Sequence, residues 1–400
     1  MPGDPAVPGE PDAGPRPRPP FLLIVSVTLT GIMGSVLISP VTPDIVEEFR
    51  TGPTGVGLLV GAHSGPGILL APLIGVMADR FGRRRVLVPC LLLFGLGGGL
   101  ASFAPSFPVL VLLRVVQGAG SAGLINLAVV LIGDHWSGAE RVRMMGRNAA
   151  TLTASLAVLP PLGGLLGSLG GWRLSFVPYW LGGVTALAVL RYLPPSPPGH
   201  GSLADQVRRA RPYLRDRVVL GSLWMAFVLF LVIFGSFLTV VPVRLKEDFG
   251  LSSGPRGLVL AGPAVTATLT SLNLTWLRRR FGAVPLVAGG SVLVAAGLAV
   301  LGAAPSLPLL MVGPVIYGIG EGMMVPTIQE LVASTPPATS RGAVVAVFVA
   351  VTRLGQTVGP LTAGSALEQV EPSTVLLGGA AVALMAAGTA PLLRSPAAAR

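Results

Sequence analysis

The sequence predicts an all-α membrane protein: twelve transmembrane helices in two pseudo-symmetric six-helix bundles, with both termini in the cytoplasm. Three observations predict it. Only 11% of the 400 residues are charged while 52% are apolar, and the mean hydropathy is +0.75. Apolar runs long enough to cross a bilayer recur from end to end. The chain also repeats itself at a constant offset of 200 residues.

Composition comes first. A soluble domain carries about a quarter charged residues, so 11% cannot cover a water-exposed surface, and a water-soluble enzyme is excluded. The 54 Gly and 38 Pro show no collagen period, and the apolar content is too high for a disordered chain. Of the 28 basic residues 27 are Arg, clustered between apolar runs, and the formal net charge is +11. Anionic lipid and the positive-inside rule account for that placement better than nucleic acid does, and no nucleic-acid partner is expected. Cys90 stands alone, so no internal disulfide is available. His63, His135 and His200 show no metal-ligand spacing.

A spanning helix needs about 20 mostly apolar residues. Segments 21–42, 54–78, 86–104, 107–133, 146–168, 174–193, 218–243, 254–277, 284–303, 307–333, 341–367 and 372–393 qualify. They are continuously apolar rather than alternating, which excludes a closed barrel. Residues 1–20, with eight Pro, read as a disordered cytoplasmic tail, and no separate signal peptide is expected. With the N-terminus inside, 21 of the 28 Lys and Arg fall on the cytoplasmic side and five on the outside, while Arg114 and Arg353 stay within the membrane. That asymmetry sets the orientation.

The repeat divides the chain. Glu47-Glu48-Phe49 recurs as Glu247-Asp248-Phe249, and Arg80-Phe81-Gly82 as Arg280-Phe281-Gly282. Ala104-Pro105-Ser106 returns as Ala304-Pro305-Ser306, Gly118 and Gly120 as Gly318 and Gly320, and Pro160 and Gly164 as Pro360 and Gly364. An N-terminal bundle is expected over 21–193 and a C-terminal one over 218–393. A basic, Pro-rich cytoplasmic linker (194–217) joins them, and a short cytoplasmic tail (394–400) follows. Parallel halves around a midplane site are a transporter plan.

Three motifs carry chemistry. Between spans two and three stand Gly75, Asp79, Arg80, Gly82 and Arg83: Gly82 permits a tight turn, Asp79 can pair with Arg83 or with a helix N-terminus, and the Arg cluster on its own could be a mere topology anchor. Span four holds Arg114, Gln117, Gly118 and Gly120, with Arg114 about 10 Å below the outer end at ~1.5 Å per residue. An Arg at that depth needs a cavity or a partner. Gly118-Ala-Gly120-Ser-Ala-Gly123 fits a dinucleotide pattern, but no strand precedes it, and no Walker sequence exists. Span five holds Pro160, Gly163 and Gly164, where a Pro kink with small-residue packing is an equally open reading.

These motifs resemble those of the major facilitator superfamily, the first almost position for position, and the likeness extends over nearly the whole chain. The resemblance implies alternating access by rocking bundles, with Asp79 latching the halves on the inside. It also implies a link between Arg114 and proton coupling. In the second half Arg279 and Ala283 replace the acid and the Arg, so the latch is one-sided. The span-five residues, followed by Trp172-Arg173, are similar to the antiporter motif of drug–proton exchangers. Leu159 and Ser155 stand where that motif carries Gly.

Glu321 is the acid deep in an apolar run, about 21 Å from the outer end of span ten, and Arg353 comes out near the same depth. The two are expected to form a buried pair, either proton-coupled or a static tie between spans ten and eleven. Asp44 closes span one as a helix cap or a further proton site, and His63 is a packed or water-facing histidine. Asn126, Gln117, Asn273 and Gln356 are polar cavity candidates or ordinary interhelical hydrogen bonds. Met225, Phe227, Phe230, Phe234, Met323 and Met324 suit a lipophilic cargo if they line the path rather than face lipid.

The expected function is proton-driven efflux of hydrophobic or amphipathic small molecules, without a cofactor and powered by the proton gradient. A monomer in a bacterial cytoplasmic membrane is expected. Rivals are an importer or uniporter of a metabolite on the same fold and a non-transporting membrane sensor. No nucleophile–base pair supports an enzyme.

Overall fold

The computed structural model describes residues 18–195, 208 and 211–394. Most of the expected N-terminal tail, linker and C-terminal tail therefore lies outside the described residues. Among those described there are helices and no strand.

Ten helices are long and apolar enough to cross a membrane: α1 (Phe21–Phe49), α2 (Thr54–Phe81), α3 (Arg83–Phe103), α4 (Phe107–His135), α5 (Gly138–Leu174), α7 (Arg217–Glu247), α9 (Ala283–Ala303), α10 (Leu307–Ser334), α11 (Ser340–Ala366) and α12 (Pro372–Leu393). An eleventh, α8, consists of Ser253–Leu272 and Leu274–Phe281, bent by 62°. At the bend the Asn273 amide donates to the Leu269 carbonyl at 2.9 Å, so this cavity candidate is instead an exposed local bond. The sixth segment, α6, is Val177–Trp180 continuing into Leu181–Tyr192. It is shorter than the expected 174–193 because α5 runs on to Leu174 through non-helical Gly170 and Gly171. Its four and twelve residues reach about 24 Å, less than the ~30 Å of a hydrocarbon core.

The repeat is visible in the local structure. The turns between α2 and α3 and between α8 and α9 each need a positive φ, supplied by Gly82 (92°) and Gly282 (79°). The repeated Ala-Pro-Ser places Ser106 and Ser306 as extended residues just before α4 and α10, each followed by a proline in the first turn. Asp216 caps α7, accepting from the Val218 and Val219 amides at 2.8 and 3.2 Å.

Helices α1 to α6 pack mainly on one another, as do α7 to α12. The two sets meet chiefly where α5 lies on α8 and α2 lies on α11. These junctions mirror each other at the 200-residue offset. A Cβ on Gly57 would lie 2.2 Å from the Pro360 carbonyl oxygen, and one on Gly257 would lie 2.4 Å from that of Pro160. Only glycine lets the backbones come that close.

Candidate functional site

The contacts between the halves gather at one end of the molecule. Asp44, in the first turn of the helix Thr42–Phe49, has no capping bond. Instead it reaches across to Arg256 on α8 at 2.5 Å and to Lys246 on α7 at 2.8 Å. Neither a surface cap nor an isolated acid describes it. Lys246 also pairs with Glu47. Ser39 donates to the Leu238 carbonyl at 2.6 Å, Ser253 to that of Gly164 at 2.9 Å, and Thr54 to Glu368 at 2.5 Å. Among the described residues every hydrogen bond and ion pair between the halves lies at this Asp44 end. It is sealed.

Of the span-five motif, Pro160 and Gly164 belong to the same seal, whereas Gly163 packs α5 on α1 within the first half. A Cβ on Gly163 would lie 1.7 Å from the Leu37 carbonyl oxygen, and one on Gly164 would lie 2.2 Å from that of Ser253. Pro160 is buried and presents its carbonyl to Gly257. Sequence reasoning singled out these small residues and Asp44 but missed the cations, Lys246 and Arg256, that Asp44 meets. The signal was there: an acid run, Asp44, Glu47 and Glu48, facing a sparse set of outer basic residues, Arg173, Arg244, Lys246 and Arg256.

At the opposite end Arg83 binds Asp79 and, through Nε, Asp134 at 3.1 Å. All three residues belong to the first half, so in this conformation Asp79 latches nothing across the junction. Arg80 is exposed and lies over the Phe81 ring at 5.5 Å. Gly75 has nothing within 4 Å of an added Cβ. In the second half Arg278 pairs with Glu330 at 2.9 Å, again internally.

Arg114 is fully buried inside the first half. It donates to the Gly34 and Leu59 carbonyls at 2.8 and 3.2 Å and to Gln117 Oε1 at 2.6 Å. No carboxylate pairs with it among the described residues. Backbone carbonyls of α1 and α2 carry the charge instead, one of the arrangements that make an intramembrane Arg tolerable. Gly118 and Gly120 bring α4 against His63 and against Phe94 and Cys90. His63 is buried, with Nε2 3.3 Å from the Ser121 hydroxyl, so it packs rather than faces water. A buried bond that sequence reasoning missed joins Thr28 to Asn148 at 2.6 Å.

The second half differs from expectation in one respect that matters. Glu321 and Arg353 do not pair. Arg353 donates to Gln356 at 3.2 Å and packs on α2, where a Cβ on Gly67 would sit 3.0 Å from its Cδ. Among the described residues no hydrogen bond or ion pair reaches the partly exposed Glu321 carboxyl. At ~100° per residue Glu321 stands about 180° from Val312 and about 120° from Val315, which mark the exposed stripe of α10. One turn away on its own face Tyr317 stacks on Phe237 of α7, with centroids 4.8 Å apart. Glu321 therefore points toward the interior of the half rather than along the outward-facing stripe.

Phe237 belongs to a feature that sequence reasoning missed, a π-helical run at Val232–Val240 within α7. Such runs are rare and favour functional sites. This one presses Gly235 against the Gly359 carbonyl of α11. Of the expected cargo contacts, Met225 and Met324 are packed inside the half, Met324 against Gly290, and do not line an open path. Phe234 is largely buried with its ring 6.3 Å from Phe230, while Met323 and Phe227 are partly exposed. Gln356 is occupied by Arg353, and Asn126 is exposed on α4.

A polytopic helical protein built from two similar halves, sealed at one end and carrying charged residues within its spans, is the architecture of a secondary transporter. The chain matches the Major Facilitator Superfamily over residues 23–360 and again over 235–399, and it belongs to that family. It is 35% identical to the bacillibactin exporter of Bacillus subtilis (strain 168) over 165 residues, 40% of each chain. It is 26% identical to the class D tetracycline resistance protein of Salmonella ordonez over 94% of this chain and 98% of that one. A D-xylose–proton symporter structure shares the fold with a TM-score of 0.75, 18% identity and coverage of 92% and 96%. The protein is a multi-pass membrane transporter of small molecules, not an enzyme.

Proposed function

We propose that this transporter exports hydrophobic or amphipathic small molecules in exchange for protons, with Glu321 as the proton carrier. Glu321 itself carries the reading: an acid inside α10, partly exposed, turned inward and without a bonding partner among the described residues. An intramembrane carboxylate that no cation holds can bind and release a proton as the path opens to either side. The similarity to a tetracycline resistance protein along nearly the full chain supports the direction of transport.

On this reading α6 and the bent α8 are spans as well, making twelve, and the positive-inside rule argues for both termini and the Arg-rich end around Arg83 lying in the cytoplasm of a bacterial cell. The Asp44 end is then external, and this conformation is open inward. Bundles 21–193 and 218–393 rock about the α2–α11 and α5–α8 junctions. In the outward-open state Asp79 would leave Arg83 and join the halves on the inside. Arg114 stiffens the first half, and Asn126, Phe234, Met323, Arg353 and Gln356 border the path taken by a lipophilic cargo, one chain acting as a monomer.

Inverted membrane vesicles holding an acid-inside gradient, reported by a quenched dye, test this with a panel of lipophilic drugs. The reading predicts compound-dependent collapse of the gradient. Silence toward all of them, with uptake of a polar metabolite in its place, would contradict it.

A further inference from the structure

A cavity of about 380 Å³ opens at the Arg83 end between α2, α3 and α6, lined among others by Phe81, Arg84, Arg85, Val88, Leu190 and Pro195. Its lining comes from the first half and from Pro195 just after it, with nothing from the second half. Its lining combines two guanidiniums with mostly apolar carbon. Arg84 is held in place, donating to the Leu190 carbonyl at 2.5 Å. Arg85 is exposed and forms no ion pair among the described residues.

The internal repeat supplies a control. The corresponding turn in the second half keeps its glycine at nearly the same φ, 79° against 92°, but the positions matching Arg84 and Arg85 hold Val284 and Pro285. Neither the turn nor the start of the next helix needs these cations. Their presence in one half only, around an apolar-walled cavity at the membrane rim, calls for another explanation.

We propose that this cavity binds the head group of an anionic phospholipid. Arg84 and Arg85 contact the phosphate, and the acyl chain runs along Phe81, Val88 and Leu190. Guanidiniums suit phosphate oxygens because they offer paired donors, and basic pockets at the cytoplasmic rim of helix bundles favour anionic lipid. The apolar wall distinguishes a lipid from a soluble phosphate, which would gain nothing from it.

Native mass spectrometry of the full chain, released from detergent with added phosphatidylglycerol or phosphatidylcholine, tests the assignment. Retained phosphatidylglycerol should exceed phosphatidylcholine severalfold and should fall about tenfold in R84Q/R85Q. Arg85→Gln alone, which loses no internal bond, should lower it severalfold without changing thermal unfolding, and R84K/R85K should recover most of it. Equal retention of both lipids, or retention of phosphatidylglycerol unaltered in both Gln variants, would overturn the proposal. Displacement of the lipid by millimolar inorganic phosphate would assign the cavity to a soluble anion and overturn it too.

Discussion

Asp44 and Arg256, 212 residues apart in the chain, meet at 2.5 Å across the junction between the two halves. The Arg256 side chain is 2% exposed and that of Asp44 32%. Two further nitrogens of Arg256, Nε and Nη1, have no hydrogen-bond partner among the described residues. Removing the carboxylate strands a buried cation, which costs far more than losing a surface pair.

Asp44→Asn should therefore favour opening at this end. Ser106 and Ser306, in loops flanking the junction, make no capping bonds and suit spin labels once Cys90 is replaced. The fraction at long Ser106–Ser306 distances should rise about tenfold, equivalent to ~1.4 kcal/mol. A second substitution, Arg256→Gln, should reverse part of that rise, because the stranded charge is gone. An unchanged distance distribution in Asp44→Asn would show that the pair contributes nothing to the seal.

The mirrored glycines give a second prediction. A methyl on Gly57 or Gly257 would press into a carbonyl oxygen of the opposite half at 2.2 or 2.4 Å, and backbone cannot step aside as a side chain can. Gly57→Ala and Gly257→Ala should each cut transport at least tenfold while leaving each half folded, and the long-distance population should grow. Gly183→Ala, with open space around it, is the control and should behave like the native chain.

Tyr317 tests the packing around Glu321. Its hydroxyl is buried and has no hydrogen-bond partner among the described residues. Removing an unpaired buried donor loses no bond, so Tyr317→Phe should keep or raise thermal stability, by up to ~1 kcal/mol. A drop of several degrees in Tm would mean that the hydroxyl is bonded after all.

Much of this was legible in the sequence. Continuous apolar runs fixed the helical class, and the 200-residue offset carried the tight turn at Gly82 onto Gly282, but it did not show that Gly57 and Gly257 make mirrored contacts across the junction. The small residues Pro160, Gly163 and Gly164 were recognised, though not what they touch. Pairing was the least legible property. Depth along a helix put Glu321 and Arg353 level, but depth carries no information on azimuth, and Arg353 turns toward Gly67 of α2. Asp44 was legible as a cap or a proton site but not as an ion pair, because its cations lie more than 200 positions away. The π-helical run, which packs on α11 and α12, left no composition signal.

Purified native chain and Glu321→Gln, reconstituted side by side in liposomes, test the central claim most directly. Two rates are compared for one exported compound: exchange between equal pools, and accumulation driven by a proton gradient. Exchange needs binding and rocking but no net proton movement, whereas accumulation needs the carboxylate to carry a proton. Glu321→Gln should retain exchange within about twofold and lose gradient-driven accumulation. Accumulation at the native rate in the variant would contradict the account and move the proton to another residue.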